Sequence, residues 1–160
     1  MLYTAGVVII FFLAALFWEF VAWAMHRYVM HGFGWYLHRD HHVTHGRRFQ
    51  RNDLFVFFFA LCSFLLIFFG FKASLPPLWS AGFGVALYGL GYAAFHDVMF
   101  HKRFKRIHLK SKHPYLLRIT NAHRTHHRTT TKEGATSFSF LWAPRKYNQP
   151  TPSRGGTDSL

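Results

Sequence analysis

The sequence predicts an all-α integral membrane protein, with three to four membrane helices carrying a cytoplasmic, histidine-rich helical cap. Three observations predict this class. Apolar residues make up 51% of the 160-residue chain, aromatics alone 20%, and they gather into long uncharged blocks. The 19 Lys+Arg against 6 Asp+Glu give a formal charge of +13, yet the cations are segregated from those blocks. A soluble nucleic-acid binder would scatter them, so the pattern is that of a membrane protein. Third, the chain holds 13 His, several times the usual number for its length. The single Cys62 excludes a disulfide framework and a Cys-ligated zinc or iron–sulfur site.

The first span starts near the N-terminus. Residues 2–17 carry no charge, and the apolar run continues past Glu19 to Met25, close to the roughly 20 residues a helix needs to cross a bilayer. A cleaved signal peptide is disfavoured because the cationic leader is missing and the run is too long. The second span covers residues 54–71, without charge or Pro, and the third residues 78–95, rich in Gly and Ala. Residues 72–77 end in Pro76-Pro77, which must break a continuous helix, so the two spans form a tight hairpin. Both are short for a span. A fourth membrane-embedded segment, crossing the membrane or lying at its interface, would be residues 114–120 or 138–142. Residues 1–144 read as one membrane domain and 145–160 as a flexible tail rich in Pro, Gly, Ser and Thr.

Charge placement predicts orientation. Arg27, Arg39, Arg47, Arg48 and Arg51 separate the first two spans, thirteen more Lys/Arg follow the third, and only Lys72 falls on the other side. The positive-inside bias puts the N-terminus outside and the C-terminus in the cytoplasm, with the cations against anionic headgroups and no nucleic acid involved.

All thirteen histidines fall on the predicted cytoplasmic side. They read His26-x4-His31, His38-x2-His41-His42, His96-x4-His101 and His123-x2-His126-His127, the same pair of patterns twice. An H-x2-H-H triplet is expected on the order of 0.1 times at this composition, and there are two. On a helix His38 and His42 share a face at i,i+4 with His41 beside them, and His123, His126 and His127 repeat this. The x4 pairs fit less well, since five residues of α-helix place side chains about 140° apart. Either the helix loosens there or the two members approach from different sides. Ten imidazoles exceed what one metal holds and match about five for each of two. Asp40 and Asp97 are placed to orient a ligand through its second ring nitrogen, or to form ion pairs with Arg39 and Lys102.

Glu19 is the one ionisable residue well inside a span, where charge is costly. Two turns from His26, it shares that residue's face but sits about 10 Å deeper. It reads as a packing or channel residue rather than a ligand. Gly82, Ala86, Gly89 and Ala93 form a small-residue stripe read as helix packing, the other reading being a groove for a flat apolar ligand. Tyr88, Tyr92 and His96 form a line beside it, also read as packing.

These segments resemble the fatty acid hydroxylase superfamily of membrane di-metal oxygenases, and within it the bacterial β-carotene 3-hydroxylases. The resemblance is carried by His26-Arg27-Tyr28-Val29-Met30-His31-Gly32, Trp35-Tyr36-Leu37-His38-Arg39-Asp40-His41-His42, Asn52-Asp53-Leu54, His96-Asp97-Val98-Met99-Phe100-His101, Ala122-His123-Arg124-Thr125-His126-His127, and Lys132-Glu133-Gly134 leading to Ser137-Phe138-Ser139-Phe140-Leu141-Trp142-Ala143-Pro144. It implies a non-haem di-iron monooxygenase of the bacterial inner membrane. β-Carotene would become β-cryptoxanthin and then zeaxanthin, with O2 as co-substrate and a separate donor such as ferredoxin. The resemblance gives His26, His31, His38, His41, His42, His96, His101, His123, His126 and His127 as the iron ligands. His45, His108 and His113 lie outside the boxes, with His45 a weak further candidate, and residues 107–119 depart from the subgroup's pattern. Unactivated C–H cleavage requires a redox-active metal, which excludes zinc. The competing functions are a sterol or fatty-acyl hydroxylase or desaturase of the same superfamily and, further off, a histidine-rich metal transporter. A transporter would place ionisable ligands along its spans, where only Glu19 stands.

Overall fold

The computed structural model describes residues 2–43, 49–104, 106 and 112–149, and among them every regular element is helical. The first span, α1 (Leu2–Ala24), runs directly into a π-helical segment, Met25–Phe33. Gly32 leaves helical geometry there (φ −107, ψ −127) and turns the chain into α2 (Trp35–Val43). The second span is α3 (Asp53–Lys72). Ser74 takes a positive φ of 51 in the reversal that follows. Pro76 and Pro77 then occupy the first turn of α4 (Pro76–Tyr92), where a missing N–H costs nothing. A second π-helical segment, Ala93–Phe100, extends α4. α5 (Pro114–His126) and a 3-10 turn at Arg145–Asn148 complete the cap.

Three helical stretches are long and apolar enough to cross a membrane: Leu2–Phe33, Asp53–Lys72 and Pro76–Phe100. The third is 25 residues, longer than its hydropathy suggests, because the π-helical extension carries it to Phe100. Neither segment considered for a fourth span is such a helix. Residues 114–120 belong to the 13-residue α5, and residues 138–142 form no regular element.

α4 lies between α1 and α3 and packs on both. Glycine permits this approach at two points, since a Cβ on Gly84 would overlap the Phe11 carbonyl of α1 and one on Gly82 would overlap Ile67 of α3. Hydroxyls fasten the same seams, Ser80 Oγ donating to Val7 O at 2.6 Å and Ser63 Oγ to Gly82 O at 2.8 Å. Phe12, Leu13 and Phe17 on α1 and Phe57, Phe64 and Phe68 on α3 remain exposed, as lipid-facing side chains do.

The cap has its own small core of Met99, Ile119, Ala122, Ala143 and Tyr147. Tyr147 is 4% exposed, and Asn121 Nδ2 donates to its carbonyl at 3.1 Å. Residues 145–148, assigned above to the flexible tail, are therefore part of the packed cap. The tail residues from 150 onward lie outside the described residues.

Candidate metal centre

The π-helical segments resolve the awkward x4 spacing. Hydrogen bonding from residue i to i+5 widens the helix by one residue per turn and brings i and i+5 into line. His101 N donates to His96 O at 3.0 Å in this pattern, and Gly34 N to Val29 O at 2.8 Å. His26 and His31 thereby share a face, as do His96 and His101. The helix loosens, as one of the two sequence readings required.

All ten histidines of the four boxes converge, and they do so as two groups of five. One comprises His26, His31, His38, His42 and His126, the other His41, His96, His101, His123 and His127, with one nitrogen per ring lying within 4.8 Å of the rest. Each triplet is divided between them. His38 and His42 join the first group while His41 turns to the second; His123 and His127 join the second while His126 turns to the first. Each group therefore holds one x4 pair, one i,i+4 pair and a single histidine from the other triplet. His42 and His127 stack at 4.4 Å between ring centroids, so the groups are adjacent.

Ring orientation is fixed from outside. In the first group every Nδ1 faces an oxygen: His26 that of Phe138 O (2.8 Å), His31 that of Lys132 O (3.0 Å), His38 that of Asn52 Oδ1 (2.6 Å), His42 that of Thr129 O (2.7 Å) and His126 that of Thr136 O (3.0 Å). In the second, His41 Nδ1 faces Gln50 Oε1 at 2.9 Å and His96 Nδ1 faces Asp97 Oδ1 at 2.8 Å. A neutral imidazole has one N–H, so donation at Nδ1 leaves a lone pair on Nε2.

Those lone pairs point at one another. Nε2 atoms approach to 3.2 Å between His31 and His126, 3.1 Å between His38 and His42, 3.0 Å between His41 and His96, and 2.8 Å between His123 and His101. His26 Nε2 and His127 Nε2 are buried with no partner at all. Nitrogen lone pairs facing one another are repulsive unless a cation lies among them, so the donor set fits a metal ion in each group. Burial, followed by the neighbouring rings, holds His38, His41 and His123 well below the ordinary imidazole range, and His126 likewise. Burial brings His42 down to about 4, against a hydrogen bond to Thr129 that acts the other way. These rings are neutral at neutral pH.

Of the two carboxylates expected to orient ligands, Asp97 sits on His96. Its ionic partner is Arg103 at 3.4 Å rather than Lys102. Arg103 also holds Asp53 at 2.8 and 2.9 Å. Asp40 instead accepts the backbone N–H of Arg51 at 2.7 Å. Sequence reasoning missed Asn52, Gln50 and the four carbonyls. Asn52 and the 132–144 stretch were legible only as words of the resemblance, without a role. His113 caps the start of α5, away from both groups, whereas His45 and His108 lie outside the described residues.

A cavity of about 380 Å³ opens beneath the centre, lined by α1, α3 and α4. Its walls are almost wholly apolar (among them Trp18, Ala22, Phe59, Val85, Ala86 and Gly89). The small stripe thus serves two ends: Gly82 packs against α3, whereas Ala86 and Gly89 line open space. At the cap end the cavity meets Tyr92 and Phe140. Tyr92 stacks on His96 at 4.4 Å, and Phe140 stacks on His26 at 5.5 Å and meets His96 edge-on at 5.4 Å. The cavity therefore ends against both histidine groups. Its lining residue Leu90 is 70% exposed on the outer surface of the bundle, which marks the mouth.

The fatty acid hydroxylase family model matches residues 11–143. A beta-carotene hydroxylase of Pantoea ananas is 40% identical over 136 residues, 85% of this chain and 77% of that protein. One from Pseudescherichia vulneris is 39% identical over 135 residues, 84% and 76% of the two chains. A chloroplastic beta-carotene 3-hydroxylase of Arabidopsis thaliana is 32% identical over 150 residues, 92% of this chain and 47% of that protein. No solved structure matches the chain.

Proposed function

The chain belongs to the fatty acid hydroxylase family, and we propose that it hydroxylates carbon 3 of the β-ionone ring, taking β-carotene through β-cryptoxanthin to zeaxanthin. The observation that carries this reading is the apolar cavity that ends, through Tyr92 and Phe140, against both five-histidine groups. The ten histidines would hold two iron ions, one per group. When bound, the irons supply the redox chemistry that lets O2 oxidise an unactivated C–H bond, one oxygen atom entering the product and the other leaving as water. The two electrons required come from a separate carrier of the ferredoxin type.

The chain's own residues supply position. The oxygens at Nδ1 of His26, His31, His38, His41, His42, His96 and His126 fix ring and tautomer, so that Nε2 faces inward. The cavity takes the hydrocarbon ring directly from the bilayer, with the polyene leaving past Leu90. Phe140 and Tyr92 form the end of the cavity against which the ring rests beside the histidines, and they exclude water on that side. The Tyr92 hydroxyl, 3.4 Å from His96 Nε2, is the cavity's polar atom placed at the centre. The positive-inside bias supports a bacterial inner-membrane protein with its cap on the cytoplasmic side and its N-terminus outside. A metal-transport reading gains nothing from Glu19, whose two oxygens are both engaged by protein donors.

Pigment chromatography of β-carotene-producing bacteria expressing the chain tests the proposal, beside a His126→Ala control of matched abundance. Zeaxanthin and β-cryptoxanthin peaks absent from the control are expected. Unchanged β-carotene from an inserted, iron-loaded protein would defeat the carotenoid assignment and turn attention to sterol or fatty-acyl substrates.

A further inference from the structure

An ionisable side chain inside a membrane span persists where its polar atoms are engaged. Glu19 is engaged on every side. Its Oε1 accepts the backbone N–H of Phe140 at 3.0 Å and of Leu141 at 2.9 Å, and its Oε2 accepts the Tyr88 hydroxyl at 2.9 Å. The carboxylate thus ties α1 to α4 and to the loop that follows α5. That loop forms no regular element around residues 138–141, so these two N–H groups have no ladder of their own. The same loop reaches the metal centre two residues earlier, where Phe138 O holds His26 Nδ1 at 2.8 Å. From the far side the Tyr115 hydroxyl donates to the Leu141 carbonyl, closing the grip on the loop.

Resting on the functional reading above, we propose that Glu19 is a positioning residue for the first histidine group. By fixing residues 138–141 from within the bilayer, it holds the Phe138 carbonyl on the His26 ring and so keeps His26 Nε2 facing its four companions. The second group draws its orienting oxygens from Gln50 and Asp97, which this loop does not carry. Phe140 meets His96 of the second group only ring edge to ring face, with no hydrogen bond between them, so the effect of losing Glu19 falls on the first group. Glutamine at this position retains an oxygen for the two N–H groups and offers its amide to the Tyr88 oxygen. Leucine removes both acceptors.

The test is a cobalt(II) titration of the metal-free, detergent-solubilised full chain, followed by visible ligand-field absorption. The wild type is expected to fill two sites. Glu19→Leu should weaken one site about 10- to 100-fold, as loss of a ligand-orienting partner does, and leave the other unchanged. Glu19→Gln should restore both. Adding His26→Ala to Glu19→Leu should weaken that site by less than the product of the two single effects. Wild-type affinity at both sites in Glu19→Leu overturns the proposal, as does equal weakening of both sites that Gln does not relieve. Should the leucine variant fail to accumulate, Glu19→Asp keeps the carboxylate but shortens its reach, and must show the same one-sided loss in smaller degree. Equal affinities in it overturn the proposal alone, whereas a wild type that binds no second metal overturns the functional reading and the proposal with it.

Discussion

In the first histidine group every ring is fixed by an oxygen of the polypeptide scaffold, four of them backbone carbonyls of residues 129–138 and the fifth the amide of Asn52. In the second, His96 is fixed by a carboxylate, Asp97, which shares Arg103 with Asp53, while Gln50 holds His41. The rings follow the same plan twice, but their supports differ. Carbonyls set geometry without adding net charge. A carboxylate also raises the basicity of its ligand and offsets cationic charge nearby. The difference teaches that the first centre depends on how the cap folds and the second on an ion network that single side-chain changes can tune.

The largest effects come from the ligands, and they test the division of the triplets. His126→Ala should cost more than about 100-fold in metal affinity, beyond what losing an orienting partner costs. The loss should fall on the site that His38→Ala also damages, not the one damaged by His123→Ala. Cobalt spectra of the three variants check this, and loss of a common site in His126→Ala and His123→Ala breaks the comparison. Next come the supports. Asn52→Leu should weaken the first centre alone and Asp97→Asn the second alone, each about 10- to 100-fold by competition with a chelator. Asp97→Asn should also change the electronic spectrum of its metal, because a charged partner has become neutral.

Acidity gives a further test of the first centre. Burial places the His42 pKa at about 4, below the ordinary 6.5, so the unfolded chain takes up its proton first as pH falls. The stabilisation is therefore intact above about 6.5 and is lost as pH drops from there toward 4. Metal on Nε2 opposes that protonation. Trp35, with its ring centroid 5.4 Å from that of His42, reports on it. Its fluorescence, taken by difference from Trp35→Phe, should change across this range in the metal-free protein and hold steady when metal is bound. The smallest effect is expected from Arg103→Met, which leaves Asp97 on His96 but removes its counter-charge. A severalfold loss at the second centre, with the first unmoved, would sharpen the contrast.

Much of this was legible in the residues. The spans followed from the apolar runs, and the duplicated His order pointed to two histidine groups. Less legible was the allocation, because His41 and His126 cross over only once α2 and α5 face each other in space. The x4 pairs were ambiguous for a physical reason: a π-helical turn is a tertiary response that lets both rings join one group, and the letters between them do not encode it. Backbone carbonyls such as Thr129 O and Thr136 O leave no mark in residue type. Glu19 lies outside both histidine groups, and two of its three partners are N–H groups more than a hundred residues away. The small stripe admitted two readings because Gly82 packs against α3 while Ala86 and Gly89 line the cavity, at different heights along α4.

The most direct test of the central claim is metal stoichiometry. The full chain, purified without metal and reconstituted anaerobically with ferrous iron, should bind two irons. His26→Ala and His96→Ala should each bind one, in sites with different spectra. A wild-type chain that saturates at one iron, or two variants that retain the same site, would contradict the account.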